Sequence, residues 1–164
     1  MSKPTRNHVF DPNLVAKAPP GRGYPPPLDD PLKGRSMRRL AGMSNLEKLA
    51  VVLIDLEPGA WLAQRLWQTH EDEFVYVLEG IATLVTDDGE EDMPAGSCVG
   101  FPAGVANAHH IINKSDQTVR FLEMANTADG INITHYPHVD LKAVWQDGER
   151  IFVRSNGSLI TEQA

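Results

Sequence analysis

From residue 49 onward the chain alternates short apolar runs with turn residues at intervals of about ten, and that rhythm confines it to an antiparallel β fold. The runs cover 49–56, 61–68, 73–79, 81–86, 98–101, 109–112, 119–125 and 131–136, and 144–154 reads as a final turn and strand. Pro58-Gly59, Gly80, Asp88-Gly89, Pro94-Ala95-Gly96, Pro102-Ala103-Gly104 and Asp129-Gly130 punctuate them. Asp88-Gly89 is the sharpest of these signals, because glycine tolerates the positive φ of a tight hairpin. No amphipathic helical pattern alternates with the runs, so a parallel sheet built from βαβ units is excluded. The expected fold class is all-β and antiparallel, a sandwich or barrel.

At 164 residues there is length for one domain with a real core. Eight of the 12 prolines lie between Pro4 and Pro31, and the stretch from Ala18 through Pro27 can neither donate regular ladder bonds nor continue a helix. Residues 1–40 are therefore read as an extended proline-rich arm, free to lie across a neighbouring surface, and residues 41–164 as the β domain. A net charge of −7 argues against a nucleic-acid partner, since such binding rests on Lys and Arg neutralising phosphates. The one basic cluster, Arg35, Arg38 and Arg39, reads as a solvated or salt-bridged surface. Cys98 is the single cysteine, so no internal disulfide or thiolate-rich zinc site is expected, and its bland role is that of a small core residue. No apolar leader and no membrane-length apolar run is present, which makes a cytoplasmic protein the expectation.

Two segments carry polar groups that fit chemistry. In Glu73-Phe74-Val75-Tyr76-Val77-Leu78-Glu79-Gly80, period-two alternation puts Glu73 on one face with Val75 and Val77. If that face looks inward, Glu73 is a desolvated acid that must be paired, protonated or metal-bound. The other reading leaves Glu73 on the surface with Glu71 and Asp72. Farther along, His109 and His110 are adjacent on a strand and point to opposite faces, so one of them looks inward. His109, in phase with Ile111 and Asn113, is the inward choice. Trp61 and Trp67 read first as packing residues.

Pro58-Gly59, Glu73 with six residues to Gly80, and Gly96 with five residues to Pro102-x-Gly104 resemble the two signature motifs of the cupin superfamily. The wording His70-Glu71-Asp72-Glu73-Phe74-Val75-Tyr76-Val77-Leu78-Glu79-Gly80 and Gly100-Phe101-Pro102-Ala103-Gly104-Val105-Ala106-Asn107-Ala108-His109-His110 is similar to that of small bacterial single-domain cupins. The resemblance implies a double-stranded β-helix, or jelly-roll barrel, with a ligand pocket inside it. It also implies a metal held by three histidines and one glutamate, and here the chain departs from the pattern. Aligned on Glu73, the first motif's two histidines fall on Leu66 and Gln68, and the second motif's histidine falls on Asn107 unless two extra residues bring in His109.

The family's metal set is thus reduced to Glu73 and His109, with Gln68 as a weak carbonyl donor and His70 as a third ligand only if its loop swings in. No cofactor is the expectation, with a divalent Fe, Ni, Zn or Mn ion as the alternative. Fold alone does not select a function, since cupins host many chemistries. The first reading is an enzyme of the isomerase, cyclase or lyase type, in which Glu73 and His109 move a proton next to a carbonyl. The second is a non-catalytic module holding a small polar or aromatic metabolite through Glu73, Gln68, His109 and the aromatics Trp67 and Phe101, with His70 and Asn107 as further ligand-binding residues. A metal-dependent cupin using Gln68, His70, Glu73 and His109 is the third. A small-molecule ligand and a homodimer are the expected partners.

Overall fold

The computed structural model describes residues 9–18, 24–128, 130–146 and 149–160. The arm's Pro19 to Gly23 and Asp129 of the last turn signal lie outside the described residues. Among the described residues twelve strands run in chain order: β1 (Arg35–Arg39), β2 (Leu49–Leu56), β3 (Trp67–Gln68), β4 (Glu73–Glu79), β5 (Ile81–Thr86), β6 (Gly89–Pro94), β7 (Cys98–Phe101), β8 (His110–Ile112), β9 (Val119–Asn126), β10 (Asn132–Tyr136), β11 (Leu141–Gln146) and β12 (Glu149–Val153). They form a five-stranded sheet ordered β1-β2-β9-β4-β7, a three-stranded sheet β6-β5-β8 and a four-stranded sheet β12-β11-β10-β3. Every pairing is antiparallel. This is the expected jelly roll.

Period two decides which side chains meet between the first two sheets. Ile54 and Leu56 of β2, Val75 and Val77 of β4, and Val119 and Phe121 of β9 are almost wholly buried, and they pack against Ala82, Leu84, Met93 and Ile111. The outward residues of β4, Phe74, Tyr76 and Leu78, are 41%, 40% and 39% exposed. Gly80 turns β4 into β5 at φ 80°, where a Cβ would stand 3.1 Å from the Thr118 carbonyl oxygen, so the turn requires glycine.

Several elements differ from the sequence reading, each for a local reason. The run 61–68 is a strand only at Trp67–Gln68. Its earlier part makes isolated bridges, Trp61 to Ile112 and Leu66 to His109, as it wraps over the edge of β8. The strand Gly89–Pro94 was hidden because its sequence, GEEDMP, is mostly polar and its only buried side chain is Met93. Residues 144–154 hold parts of two strands rather than one.

The basic cluster needs a partial correction: 35–39 is the edge strand β1 of the five-stranded sheet, Arg38 is salt-bridged to Asp55 and Arg39 is exposed as expected, but Arg35 and Arg38 do not lie on the surface. Arg35 and Arg38 are buried. Arg35 Nη1 donates to the Leu62 carbonyl, while Arg38 Nη1 donates to Asp55 Oδ2 at 3.0 Å. Asp55 also accepts from Arg120 Nε at 2.6 Å. Desolvation alone would raise the Asp55 pKa, but the two guanidinium hydrogen bonds outweigh it and hold the carboxyl below its ordinary range. Cys98 is likewise exposed rather than in the core.

The described part of the arm folds back on its own chain. Leu32 is fully buried, Gln64 Nε2 donates to the Leu28 carbonyl at 2.7 Å, and Trp61 N donates to the Pro31 carbonyl at 2.9 Å. Tyr24 meets Tyr136 edge-on with ring centroids 5.4 Å apart, which ties the proline stretch itself to the four-stranded sheet.

Candidate functional site

Glu73 opens β4, where it pairs with Phe101 of β7 on one side and Ala125 of β9 on the other. In phase with the buried Val75 and Val77, it looks inward, and its side chain is 13% exposed. His109 reaches the same point from the opposite wall, anchored by backbone bonds in both directions with Leu66 at 2.8 and 3.0 Å. Its Nε2 lies 2.9 Å from Glu73 Oε2. The ring stacks on Phe101 with centroids 3.5 Å apart and planes 1° from parallel, while Nδ1 faces the Asn107 carbonyl at 3.4 Å. Imidazole Nε2 and a carboxylate oxygen hydrogen-bond only with a proton between them, so the pair holds one proton at a fixed place.

His110 points to the other face, as strand geometry demands, but that face is covered too. Its ring sits edge-on to Trp61 at 4.6 Å and its Nδ1 lies 3.2 Å from the Ala63 carbonyl. Burial pushes its pKa down to about 4, with the Arg65 charge adding to the effect. His110 is therefore a neutral packing residue at neutral pH.

In front of the Glu73–His109 pair lies a cavity of about 200 Å³. Trp67, Gln68, Glu73, Phe101, Asn107 and His109, six of the seven residues singled out from sequence, line it. The seventh, His70, does not: its side chain is exposed and its Nδ1 lies 2.7 Å from Thr69 Oγ1. Asn107 lines the cavity with its amide already engaged, accepting from Asp87 N at 3.0 Å and donating to Asp88 Oδ2 at 2.8 Å. Trp67 is held by a face-to-face stack on His135 of β10, with centroids 4.1 Å apart and planes 3° from parallel.

Two acids complete the surroundings; the sequence offered Glu71 only as a surface acid and gave Glu123 no role. Glu71 lines the same cavity, and its pKa is raised first by desolvation and then by the Glu73 charge. Continuing the period-two count backward from Glu73 would have found it, while Asp72 between them turns away to accept from Ala103 N at 2.7 Å. Glu123 of β9 stands opposite Val75, behind the pair, beside a void of about 20 Å³ bordered by Leu62, Leu66 and Ile111. Burial, then the Glu73 charge, push its pKa up to about 8. The alternation Val119, Phe121, Glu123 was its signal.

The donor set does not fit the metal that the fold family implies. Among the described residues no three His, Cys, Asp or Glu side chains converge. Leu66 offers no ligand, and the Gln68 Oε1 that was to be the carbonyl donor already accepts from Asn132 Nδ2 at 3.0 Å and Thr134 Oγ1 at 3.3 Å. Three protein ligands are the usual minimum for a catalytic metal, and this wall supplies two.

The Cupin domain family matches residues 52–125. A sugar phosphate isomerase from a cupin superfamily, from Silicibacter pomeroyi, is similar in structure with a TM-score of 0.88 and 32% sequence identity, over 94% of this chain and 97% of that one. A candidate sugar phosphate isomerase from Acidithiobacillus ferrooxidans is similar at a TM-score of 0.70 and 27% identity, over 79% of this chain and 81% of that one. No curated protein matches. The signature glycines, the jelly-roll sheets and a likeness running nearly end to end place this chain in the cupin superfamily.

Proposed function

We propose that this cupin is an enzyme of the isomerase type that moves protons on a small hydroxy-carbonyl compound with Glu73 and His109. The observation that carries the reading is the 2.9 Å contact between the two side chains at the wall of a cavity. The isomerase named for the Silicibacter pomeroyi protein supports the same class of reaction. Aldose–ketose isomerisation needs one base to take the proton from the carbon beside the carbonyl and return it to the neighbouring carbon. Glu73 serves as that base. His109, fixed by the Phe101 stack and the Asn107 carbonyl, orients the carboxylate and holds the shared proton.

The lining also shapes the substrate class. Among the described residues that line the cavity there is no Lys or Arg, whereas Glu71 and Glu73 are both present. The reacting carbon skeleton therefore belongs inside, and a phosphate, where the substrate carries one, sits at the mouth away from both acids. The outward apolar residues Phe74, Tyr76 and Leu78 of β4 supply the surface on which we place the homodimer contact. No helix of the described residues is long and apolar enough to cross a membrane.

The test is deuterium wash-in. Small aldoses, ketoses and their phosphates are incubated with the protein in heavy water and followed by proton NMR. Exchange beside the carbonyl that disappears in Glu73→Gln supports the reading. A compound that raises the melting temperature yet never exchanges makes the barrel a binding module instead.

A further inference from the structure

Gln68 stands where the family's metal-binding motif has a histidine, and the hydrogen bonds around it determine which end of its amide meets the cavity. The backbone N–H of His70, a group that can only donate, reaches Asn132 Oδ1 at 3.1 Å. Thr69 Oγ1 accepts from the Ile133 backbone N–H at 2.9 Å, which leaves its proton for the same Asn132 Oδ1, 3.1 Å away. The oxygen of Asn132 is thereby identified, and its Nδ2, which can only donate, faces Gln68 at 3.0 Å. The atom it meets must be Oε1, and Thr134 Oγ1 donates to that atom as well, at 3.3 Å. Asn132 is 1% exposed and Thr134 is 4% exposed, so water does not compete for these partners.

What remains to the cavity is Nε2, with two hydrogens. Gln68 is itself only 9% exposed and lines the cavity together with Glu71. Glu71 can engage at most one of the two hydrogens, which leaves a donor for a bound molecule. A donor at this wall, facing the Glu73–His109 pair, does what a metal ion does in a Lewis-acid site: it stabilises negative charge on an oxygen.

We infer that Gln68 is an oxyanion donor for the enediolate of a small hydroxy-carbonyl compound, and that Asn132 is the positioning residue that fixes its amide. The inference rests on the isomerase reading given above. When Glu73 takes the proton, the C–H electron pair becomes the new C=C bond. The carbonyl π pair moves onto oxygen, where Gln68 Nε2–H receives the charge. The proton of the neighbouring hydroxyl passes to this oxygen, that O–H electron pair becomes the new C=O bond, and the C=C pair takes the proton back from Glu73 at the former carbonyl carbon, so no oxidant or co-reactant is consumed.

The probe is glycolohydroxamate, a planar mimic of a two-carbon enediolate, titrated into chelator-treated protein by calorimetry. Gln68→Leu, which keeps the bulk and removes the donor, is expected to weaken binding at least ten-fold. It is also expected to lower the wash-in rate by roughly a hundred-fold, the usual effect of removing one oxyanion donor. Asn132→Asp places an acceptor against Gln68 Oε1, so the amide turns over, presents its oxygen to the cavity, and binding falls by a similar factor. The double variant should bind no worse than Gln68→Leu alone, a non-additivity that simple loosening of the fold would not produce. In the unaltered protein the Gln68 side-chain amide cross-peaks should move on titration, which needs no variant to fold. Unchanged affinity in Gln68→Leu, or amide peaks that stay still at saturation, would overturn the assignment. Wash-in that survives Glu73→Gln would sink the isomerase reading instead, and it leaves the hydroxamate result to report on Gln68 by itself.

Discussion

The jelly-roll sheets and the four-stranded C-terminal sheet build opposite sides of one cavity by different means. The first side is a packed apolar core with a few acids admitted to it: Glu73, Glu71 and Glu123 all lie near residues such as Val75, Val99 and Phe101. The second side is a set of satisfied polar groups, Asn132, Thr134 and Thr69, with the aromatic stack of His135 on Trp67. Burial tunes charge in the first region, while hydrogen-bond direction tunes orientation in the second. A reactive proton belongs to one wall and the groups that aim at it to the other.

The division can be broken most directly at Glu73. Glu73→Gln should lower wash-in by roughly 10²- to 10⁴-fold, the range expected for loss of a general base. Stability should hardly change, because the amide is isosteric and still bonds to His109. A comparable rate loss in a variant confined to the outward face of β4 would show that the effect is structural. Core packing is next in size. Phe121 is fully buried between the sheets, and Phe121→Ala should cost about 3–5 kcal/mol in urea unfolding. Phe152 of β12 is only half-buried, so Phe152→Ala should cost distinctly less. Equal losses would mean that the C-terminal sheet is as much a part of the cooperative core as the barrel is.

The two regions were also unequally legible. The rhythm of short apolar runs and turn residues located β2, β4, β5, β7 and β9 almost to the residue, because each run is bounded by residues that a strand does not hold. It failed at β6 and at β1. Both are edge strands with several polar side chains, and the burial of Arg35 and Arg38 comes from partners distant in sequence, Leu62 and Asp55. The inward Glu73 and His109 could be read because each shares a face with apolar neighbours. The direction of the Gln68 amide could not, since it depends on Asn132 and Thr134, more than sixty residues away and brought close only by the pairing of β3 with β10.

Within the barrel, two groups titrate with opposite sign. His110, at about 4 instead of 6.5, binds fewer protons folded than unfolded, so its contribution is complete above pH 6.5 and is lost as the pH falls toward 4. The loss amounts to about 3 kcal/mol. Groups facing it are Arg65, His109 and His138 by charge, with the Ala63 carbonyl opposing them. Glu123, pushed up to about 8, binds more protons folded than unfolded, so its contribution is complete below its ordinary value of 4.5 and is lost as the pH rises toward 8. Denaturation midpoints against pH should therefore fall on both sides of a maximum. His110→Phe should flatten the acid side and Glu123→Gln the alkaline side. A profile unaltered by either change would remove burial as the device that tunes this wall.

The smallest effect is expected where the two regions touch through the Trp67–His135 stack. An aromatic pair of this kind is worth about 0.5–1.5 kcal/mol beyond the area it buries. His135 keeps part of its surface, and its pKa is lowered first by desolvation and then by the Lys142 charge, so the ring is neutral at pH 7 and stacks without a cation to solvate. His135→Ala should thus lower stability by about 1 kcal/mol at pH 7. Its main consequence should be elsewhere: Trp67 loses the plane that holds it against the cavity, and ligand affinity should fall with the Glu73-dependent step intact. That split between affinity and turnover distinguishes a wall that aims from a wall that reacts, and a variant losing both in equal measure would erase the distinction.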